Sequence, residues 1–204
     1  MNISKINKKH LSGLILCGGA ATRLGGEDKG LKKAKVGQTK PLIEHQLDFL
    51  KPQVSSLAIS ANRNFDIYKA YGFPIYQDPC NQDKTSTTFD GPLQGVLSGL
   101  KHCQTAWLYV QPIDTPNLPS NAIEQILASI TENKTNAYYL ASDERKHYLH
   151  LLLHRSCYDS LNDFVDRGER RAKTYLEEIK AKEINLGWDE EVFMNLNDSE
   201  DYQS

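Results

Sequence analysis

The sequence is poor in cysteine, lacks long apolar runs and carries almost no net charge. Its four cysteines, at positions 17, 80, 103 and 157, are scattered without a C-x-x-C pair, which is typical of a reducing cytoplasm and not of a disulfide framework. No apolar run approaches the length of a membrane span. A formal net charge of −2 gives the surface no general attraction for nucleic acid. We therefore expect a cytoplasmic protein that binds neither membranes nor nucleic acid.

Short apolar runs alternate with helical patterns over the first 130 residues. Buried strands are predicted at 11–17, 54–60, 73–76 and 106–110. Helices are predicted at 64–70 and 120–130, and after Pro41 and Pro92, each of which can open a helix. Strands separated by helices pair in parallel through right-handed crossovers. The predicted fold class is therefore α/β, three-layer and doubly wound, with a mostly parallel sheet.

The last third of the chain is less regular. Strands are predicted at 137–141, 148–153 and 192–196, and helices at 158–166 and 170–179. The polar stretch 80–90 is predicted to be a mobile loop. Residues 1–10 are interpreted as a flexible tail, and residues 11–204 as a single domain of ordinary size.

A glycine-rich segment, residues 18–30, follows the first predicted strand. Its five glycines let the backbone approach a ligand and turn its N–H groups towards it. Arg23 and Lys29 add positive charge, and ligands of doubly wound sheets lie beyond the carboxyl ends of the strands. The segment has neither G-x-G-x-x-G nor G-x-x-x-x-G-K-[ST]. It therefore favours a triphosphate site over a dinucleotide site, the plain alternative being a glycine-rich surface loop.

Asp114 follows the predicted strand at 106–110, in the sequence Pro-Ile-Asp-Thr-Pro. A carboxylate at that strand end faces the same crevice as the glycine-rich segment, where it can hold Mg²⁺ against phosphates. The alternative is an aspartate that caps a turn before Pro116.

The segment resembles the opening signature of the molybdenum cofactor guanylyltransferases, L-x-G-G-x-x-x-R-[LM]-G-G-x-D-K-G, which is matched at residues 16–30. The wider nucleotide-sugar transferase group shares only L-x-G-G-x-x-x-R. Further matches are Ala61-Asn62-Arg63, Asp78, Gly91-Pro92-Leu93, Asp114-Thr115-Pro116, Gly168-Glu169-Arg170-Arg171 and Asn195-Leu196-Asn197. The resemblance covers about residues 11–200 and implies a nucleotide-diphospho-sugar transferase-like fold with a Rossmann-like N-terminal half.

The resemblance implies Mg²⁺-dependent transfer of GMP from GTP to the terminal phosphate of molybdopterin. Asp114 and Asn197, with Asn195 nearby, are then the candidate metal site, and Lys29 and Arg23 the catalytic cations on the phosphates. The implied nucleotide contacts are Leu16, Cys17, Gly18, Gly19, Lys29, Ser60, Asn62, Asp78 and Asp114. Ser60 stands where some members have asparagine, and a hydroxyl lacks the paired geometry of an amide.

The acceptor side is assigned to Arg170 and Arg171, which can bind a phosphate or an electron-rich dithiolene, and to His147, which matches a family histidine. A solvated helix start is the alternative for the arginines. His147, His150 and His154 lie in a predicted strand with its leucines inward, which places the last two opposite the first and argues against a three-histidine zinc site.

The implied partners are GTP, molybdopterin, other molybdenum cofactor biosynthesis proteins and apo-molybdoenzymes. Two alternatives stay open: a related nucleotidyltransferase that acts on a sugar phosphate or uses CTP, and a nucleotide-binding module without catalysis. The presence of both Lys29 and Asp114 favours an enzyme.

Overall fold

The computed structural model describes residues 6–17, 28–33, 40–79, 91–130 and 135–195. The strands of these residues form one sheet: β1 (Leu11–Leu16), β2 (Ser56–Ser60), β3 (Ile75–Tyr76), β4 (Trp107–Pro112), β5 (Ala137–Ala141), β6 (Lys146–His154) and β7 (Lys182–Asn185). The helices are α1 (Leu42–Leu50), α2 (Phe65–Lys69), α3 (Pro92–His102), α4 (Ala122–Ser129), α5 (Cys157–Asp166) and α6 (Ala172–Glu178). Short 3₁₀ helices occupy Lys8–His10, Lys29–Leu31 and Glu190–Phe193.

The strand order is β3-β2-β1-β4-β6-β5-β7. The pairs β2–β3, β1–β2, β1–β4 and β5–β7 are parallel, and β6 runs antiparallel to both β4 and β5. Strands in the middle of a parallel sheet are covered on both faces and are therefore mostly apolar. All residues of β1 and of β4 are buried accordingly.

Helices cover both faces of the sheet and divide the core in two. On one face, α1 and α4 bury Leu42, Ile43 and Ile126 against Ile15. On the other face, α3, α5 and α6 bury their apolar stripes, including Val96, Phe164 and Tyr175, against Leu14. The stripe of α3 follows the 3.6-residue period read from the sequence. The predicted three-layer, doubly wound, mostly parallel fold is confirmed.

Two features of the C-terminal third differ from the prediction. The prediction of a strand at 192–196 is wrong. Glu190–Phe193 is a 3₁₀ helix, and neither Met194 nor Asn195 belongs to a strand. β7 was not predicted, since Ile184 is its one buried residue and an edge strand with a single apolar position has no alternation to detect.

Several predictions concern residues at the margins of the described structure. The predicted loop at 80–90 lies outside the described residues. Of the predicted tail, Ile6 is buried and packs on the domain, whereas Lys8–His10 form an exposed 3₁₀ turn. Among the helices of the described ranges, none is long and apolar enough to cross a membrane.

Candidate functional site

The carboxyl ends of β1, β2 and β4 meet at one edge of the sheet. Leu16 pairs with Ser60 on one side and with Pro112 on the other. Hydrogen bonds continue the ladders past the strand ends, from the Cys17 amide to the Ser60 carbonyl at 2.8 Å and from the Ile113 amide to the Leu16 carbonyl at 3.2 Å. This edge therefore brings together the predicted nucleotide contacts of β1 and β2 and the turn that carries Asp114.

Lys29 and Asp114 form an ion pair at this edge. The Lys29 ammonium lies 3.8 Å from Oδ2 of Asp114, and each side chain is 23% exposed. Loss of hydration raises the pKa of Asp114 above its ordinary value, and the charge of Lys29 opposes that rise. The two residues predicted to act on phosphate and on metal thus lie side by side, with the carboxylate only partly compensated.

The turn that carries Asp114 is held by buried amide side chains. Nε2 of Gln46, from α1, donates to the carbonyls of Pro112 at 3.3 Å and Thr115 at 3.1 Å. Nε2 of Gln111 donates to the same Thr115 carbonyl at 3.0 Å. Gln46 was not predicted as a site residue, although a glutamine on the apolar face of a predicted helix is a signal that the sequence contains.

Asn62 and Asp78 form a two-point contact across the ends of β2 and β3. Asn62 donates from Nδ2 to Oδ2 of Asp78 at 2.7 Å, and its Oδ1 accepts from the Asp78 amide at 2.9 Å. Both were predicted to contact the nucleotide, and Asp78 is buried. The pair lies on the same side of the site as Ser60.

Ser60 packs against the first turns of α3. A Cβ added at Gly95 would overlap its hydroxyl and lie 3.0 Å from Cδ2 of Leu16. The absence of a side chain at Gly95 is therefore what lets α3 approach Ser60 this closely.

An open pocket of about 750 Å³ lies beside Asp114. Its lining includes His147, Glu190, Phe193 and Asn195. Nε2 of His147 lies 3.2 Å from Oε2 of Glu190, and its ring stacks on Phe193 with centroids 3.8 Å apart at 11°. Desolvation lowers the pKa of His147, against the opposing effect of Glu190. A neutral His147 therefore donates to Glu190. The sequence did not point to Glu190 as a site residue.

His147 and His150 lie on the same side of β6, which corrects the prediction that they face opposite ways. Their ring centroids are 6.2 Å apart and both rings contact Phe193. The β5–β6 register shifts between Tyr139 and Leu140, so the alternation of side chains is interrupted here. The prediction that His150 lies on the side of the strand opposite to the inward leucines, and so outside the core, is wrong as well, because His150 is 2% exposed.

The acceptor residues predicted from the sequence lie on two different faces of the sheet. Phe193, against which His147 stacks, belongs to the core that includes α1 and α4. Nη1 of Arg170 donates to the carbonyls of Val165 and Glu169, both at 2.8 Å, and Val165 belongs to the opposite core. The backbone of Arg170 lies beside Gly91 at the start of α3.

Four predicted site residues, Gly18, Gly19, Arg23 and Asn197, lie outside the described residues. Arg171, at the start of α6, is exposed. Asn195 is described and lines the pocket beside Asp114.

Comparison with known proteins identifies relatives over most of the chain. The model of the MobA-like NTP transferase domain matches residues 13–183. The molybdenum cofactor guanylyltransferase of Serratia proteamaculans is 39% identical over 194 residues, which cover 95% of this chain and 92% of that protein. The protein of the same name from Yersinia pestis is 37% identical over 188 residues, which cover 92% and 91%.

The fold is also similar to a solved structure. The crystal structure of molybdopterin-guanine dinucleotide biosynthesis protein A from Archaeoglobus fulgidus superimposes with a TM-score of 0.69. The match covers 93% of this chain and 94% of that one, at 19% identity. The resemblance seen in the glycine-rich signature therefore extends through sequence and fold, and the chain belongs to the MobA-like NTP transferase family, with the molybdenum cofactor guanylyltransferases, and is a nucleotidyltransferase.

Proposed function

We propose that the protein transfers GMP from GTP to the terminal phosphate of molybdopterin, forming molybdopterin guanine dinucleotide and releasing pyrophosphate. The relatives named molybdenum cofactor guanylyltransferase support this reaction. The observation that carries it is the Lys29–Asp114 pair at the carboxyl edge, 3.8 Å apart. A cation for phosphate and a carboxylate for metal stand together beside an open pocket.

The metal of this proposal is Mg²⁺, held by Asp114 with the amide oxygens of Asn195 and Asn197. Burial raises the pKa of Asp114, so its carboxylate gains from a further cation. Mg²⁺ is usually bound through one or two carboxylates together with substrate phosphates, and this donor set fits it. When bound, the ion neutralises charge on the phosphates.

On the nucleotide side, Lys29 and Arg23 bind the phosphates, with amides of Gly18 and Gly19. Leu16, Cys17, Ser60, Asn62 and Asp78 surround the nucleoside. The hydrogen bonds that join β1 to Ser60 and Asn62 to Asp78 support this arrangement, because they give the nucleoside side a fixed backbone.

We place the acceptor in the pocket that is shared by Asp114 and His147. Its terminal phosphate is largely ionised at neutral pH, since the second pKa of a phosphate monoester is about 6, so the reaction needs no general base. The contribution of the protein is to hold the attacking oxygen in line with the α-phosphorus and to stabilise the departing pyrophosphate. Arg170 and Arg171 lie on the other face of the sheet, and we assign them a second contact with the acceptor.

The proposal is tested by pyrophosphate release from GTP with Mg²⁺, with and without purified molybdopterin. Release that requires both molybdopterin and Mg²⁺ supports it. Release with CTP, or with a sugar phosphate as acceptor, would indicate the related nucleotidyltransferase instead. Nucleotide binding without release for any of GTP, CTP and ATP would indicate a non-catalytic module.

The proposed setting is the cytoplasm, with delivery of the product to other molybdenum cofactor proteins and apo-molybdoenzymes. The described cysteines, Cys17, Cys103 and Cys157, are free thiols, which is typical of that compartment. Fractionation of the producing cell followed by detection of the chain tests this setting.

A further inference from the structure

Tyr68 links Cys17 and Asp28, the two residues that flank residues 18–27 of the glycine-rich segment. This residue of α2 is fully buried, and its hydroxyl donates to Oδ1 of Asp28 at 2.8 Å. The thiol of Cys17 is in hydrogen-bonding contact with the same hydroxyl. Cys17 precedes residues 18–27 and Asp28 follows them. The Tyr68 side chain therefore contacts both of the residues that flank residues 18–27.

The hydrogen bonds of this link have a defined direction. Burial raises the pKa of the Tyr68 hydroxyl and of the Cys17 thiol well above their ordinary values, so both groups are protonated at neutral pH. Tyr68 has one proton, which it donates to Asp28, because a carboxylate oxygen accepts. The Cys17 thiol contacts the same Tyr68 oxygen.

Asp28 accepts three hydrogen bonds and forms one ion pair. Its Oδ1 accepts from the Gly30 amide at 3.1 Å as well as from Tyr68, and its Oδ2 accepts from Nδ2 of Asn64 at 3.0 Å. Nε of Arg63 lies 3.6 Å from Oδ2, and the Asp28 side chain is 3% exposed. These contacts join the turn that carries Lys29 to the start of α2.

Two local features of the chain accommodate this arrangement. Gly30 has no Cβ, and one added there would overlap the Tyr68 hydroxyl. Asn64 adopts a left-handed backbone with φ of 53°, a conformation that asparagine tolerates better than most residues. Its side chain bonds to Asp28 and leaves its own helix without a side-chain cap. Both features indicate that the position of Asp28 is strongly specified.

We propose that Tyr68 and Asp28 are positioning residues that hold Lys29 in place for the nucleotide phosphates. This inference rests on the proposed function, in which Lys29 binds those phosphates. Lys29 has a long flexible side chain, so its ammonium stays near Asp114 only if the backbone on both sides is fixed. Asp28 and the Gly30 amide fix it, and Tyr68 ties that anchor to Cys17 at the end of β1.

The test compares Tyr68→Phe with a matched control, Tyr175→Phe. Tyr175 is also fully buried, and its hydroxyl bonds to Ser160 at 3.0 Å and to the Cys157 carbonyl at 3.2 Å, in the core on the opposite face. Both variants lose one buried hydroxyl. We expect Tyr68→Phe to weaken equilibrium binding of GTP and to lower kcat/KM by about tenfold, and Tyr175→Phe to change neither.

A double mutant separates positioning from a general loss of structure. If Tyr68 acts through Lys29, the phenylalanine substitution has little further effect on GTP affinity once Lys29→Ala has removed the ammonium. Losses that simply add would show that Tyr68 acts independently of Lys29 and would overturn the inference. Equal effects of the Tyr68 and Tyr175 variants on GTP binding would overturn it too.

Asp28→Asn provides a second variant, should Tyr68→Phe fail to fold. It preserves the size of the side chain and replaces one acceptor oxygen by a donor, and we expect the same dependence on Lys29. Tight GTP binding by wild type and by a folded variant alike would contradict the positioning role alone. A wild-type protein that does not bind GTP would contradict the proposed function, and this inference with it.

Discussion

The Lys29 ammonium lies 3.8 Å from Oδ2 of Asp114, although a 3₁₀ turn carries one residue and the end of β4 the other. In the proposed function, the ammonium binds phosphate and the carboxylate binds the metal of a metal–triphosphate complex. The ion pair keeps a poorly hydrated carboxylate compensated before ligand arrives. On substrate binding, the Lys29–Asp114 ion pair would be replaced by two others, one between Lys29 and phosphate and one between Asp114 and the metal.

Asp114→Asn should remove most turnover and slightly stabilise the fold. A raised pKa means that the ionised form of Asp114 is disfavoured in the folded protein, so at neutral pH its charge lowers the free energy of unfolding. The amide removes that cost together with the metal ligand. Thermal unfolding without metal should show a higher Tm, while pyrophosphate release falls at least about 100-fold. A lower Tm would show that the pair with Lys29 outweighs desolvation.

Lys29→Ala should leave the fold intact and remove most activity. The loss of one fixed cation from the developing phosphate charge typically reduces the rate by about 100-fold or more. Lys40→Ala is the control, because it breaks an exposed pair with Asp48 at 2.8 Å, and such pairs contribute at most about 1 kcal/mol. Steady-state kinetics with GTP checks both, and near-normal turnover by Lys29→Ala would remove that residue from the mechanism.

His147→Ala should raise the KM for molybdopterin about tenfold while the KM for GTP stays unchanged. The reason is that His147 lines the pocket beside Asp114 and not the Ser60 side of the site. His154→Ala is a suitable control on the same strand, with its ring edge-on to Trp107 at 5.1 Å. If only the KM for GTP changed, the acceptor would not lie in this pocket. Arg171→Ala would then test the opposite face of the sheet.

Gly95→Ala should lower the free energy of unfolding by about 1–3 kcal/mol, the usual cost of overpacking a buried contact. The new methyl group would overlap the Ser60 hydroxyl. Adding Ser60→Ala removes that oxygen and leaves Cβ of residue 60 at 3.4 Å, so the double variant should recover part of the loss. Urea unfolding measures all three proteins, and strictly additive losses would show that the two sites do not touch as described.

His150 should make stability fall as the solution is acidified. Desolvation lowers the pKa of this buried imidazole to about 3, whereas the unfolded chain takes up the proton near pH 6.5. The folded state is therefore favoured fully above pH 6.5 and loses up to about 1.4 kcal/mol per pH unit from this group below it. Urea unfolding between pH 7.5 and 5 should show a shallower dependence for His150→Gln than for the wild type.

Residues whose environment is set by local periodicity were predictable from the sequence. The mostly apolar run of β1 and the 3.6-residue stripe of α3 both require burial on defined faces, and the structure buries both. The bulge that turns His147 towards His150 was not predictable. It arises from a register shift between β5 and β6, which depends on how two strands meet and not on the composition of either.

From the sequence alone followed the layered α/β fold, the position of the glycine-rich signature after β1, and the placement of Asp114 at the end of the fourth strand. Each follows from apolar period or from residue type at a strand end. Tertiary structure alone decided that Gln46 holds the Asp114 turn, that Tyr68 joins Cys17 to Asp28, and that Glu190 meets His147. These contacts join residues far apart in the chain, and only the packing of whole elements determines which of them lie within hydrogen-bonding distance.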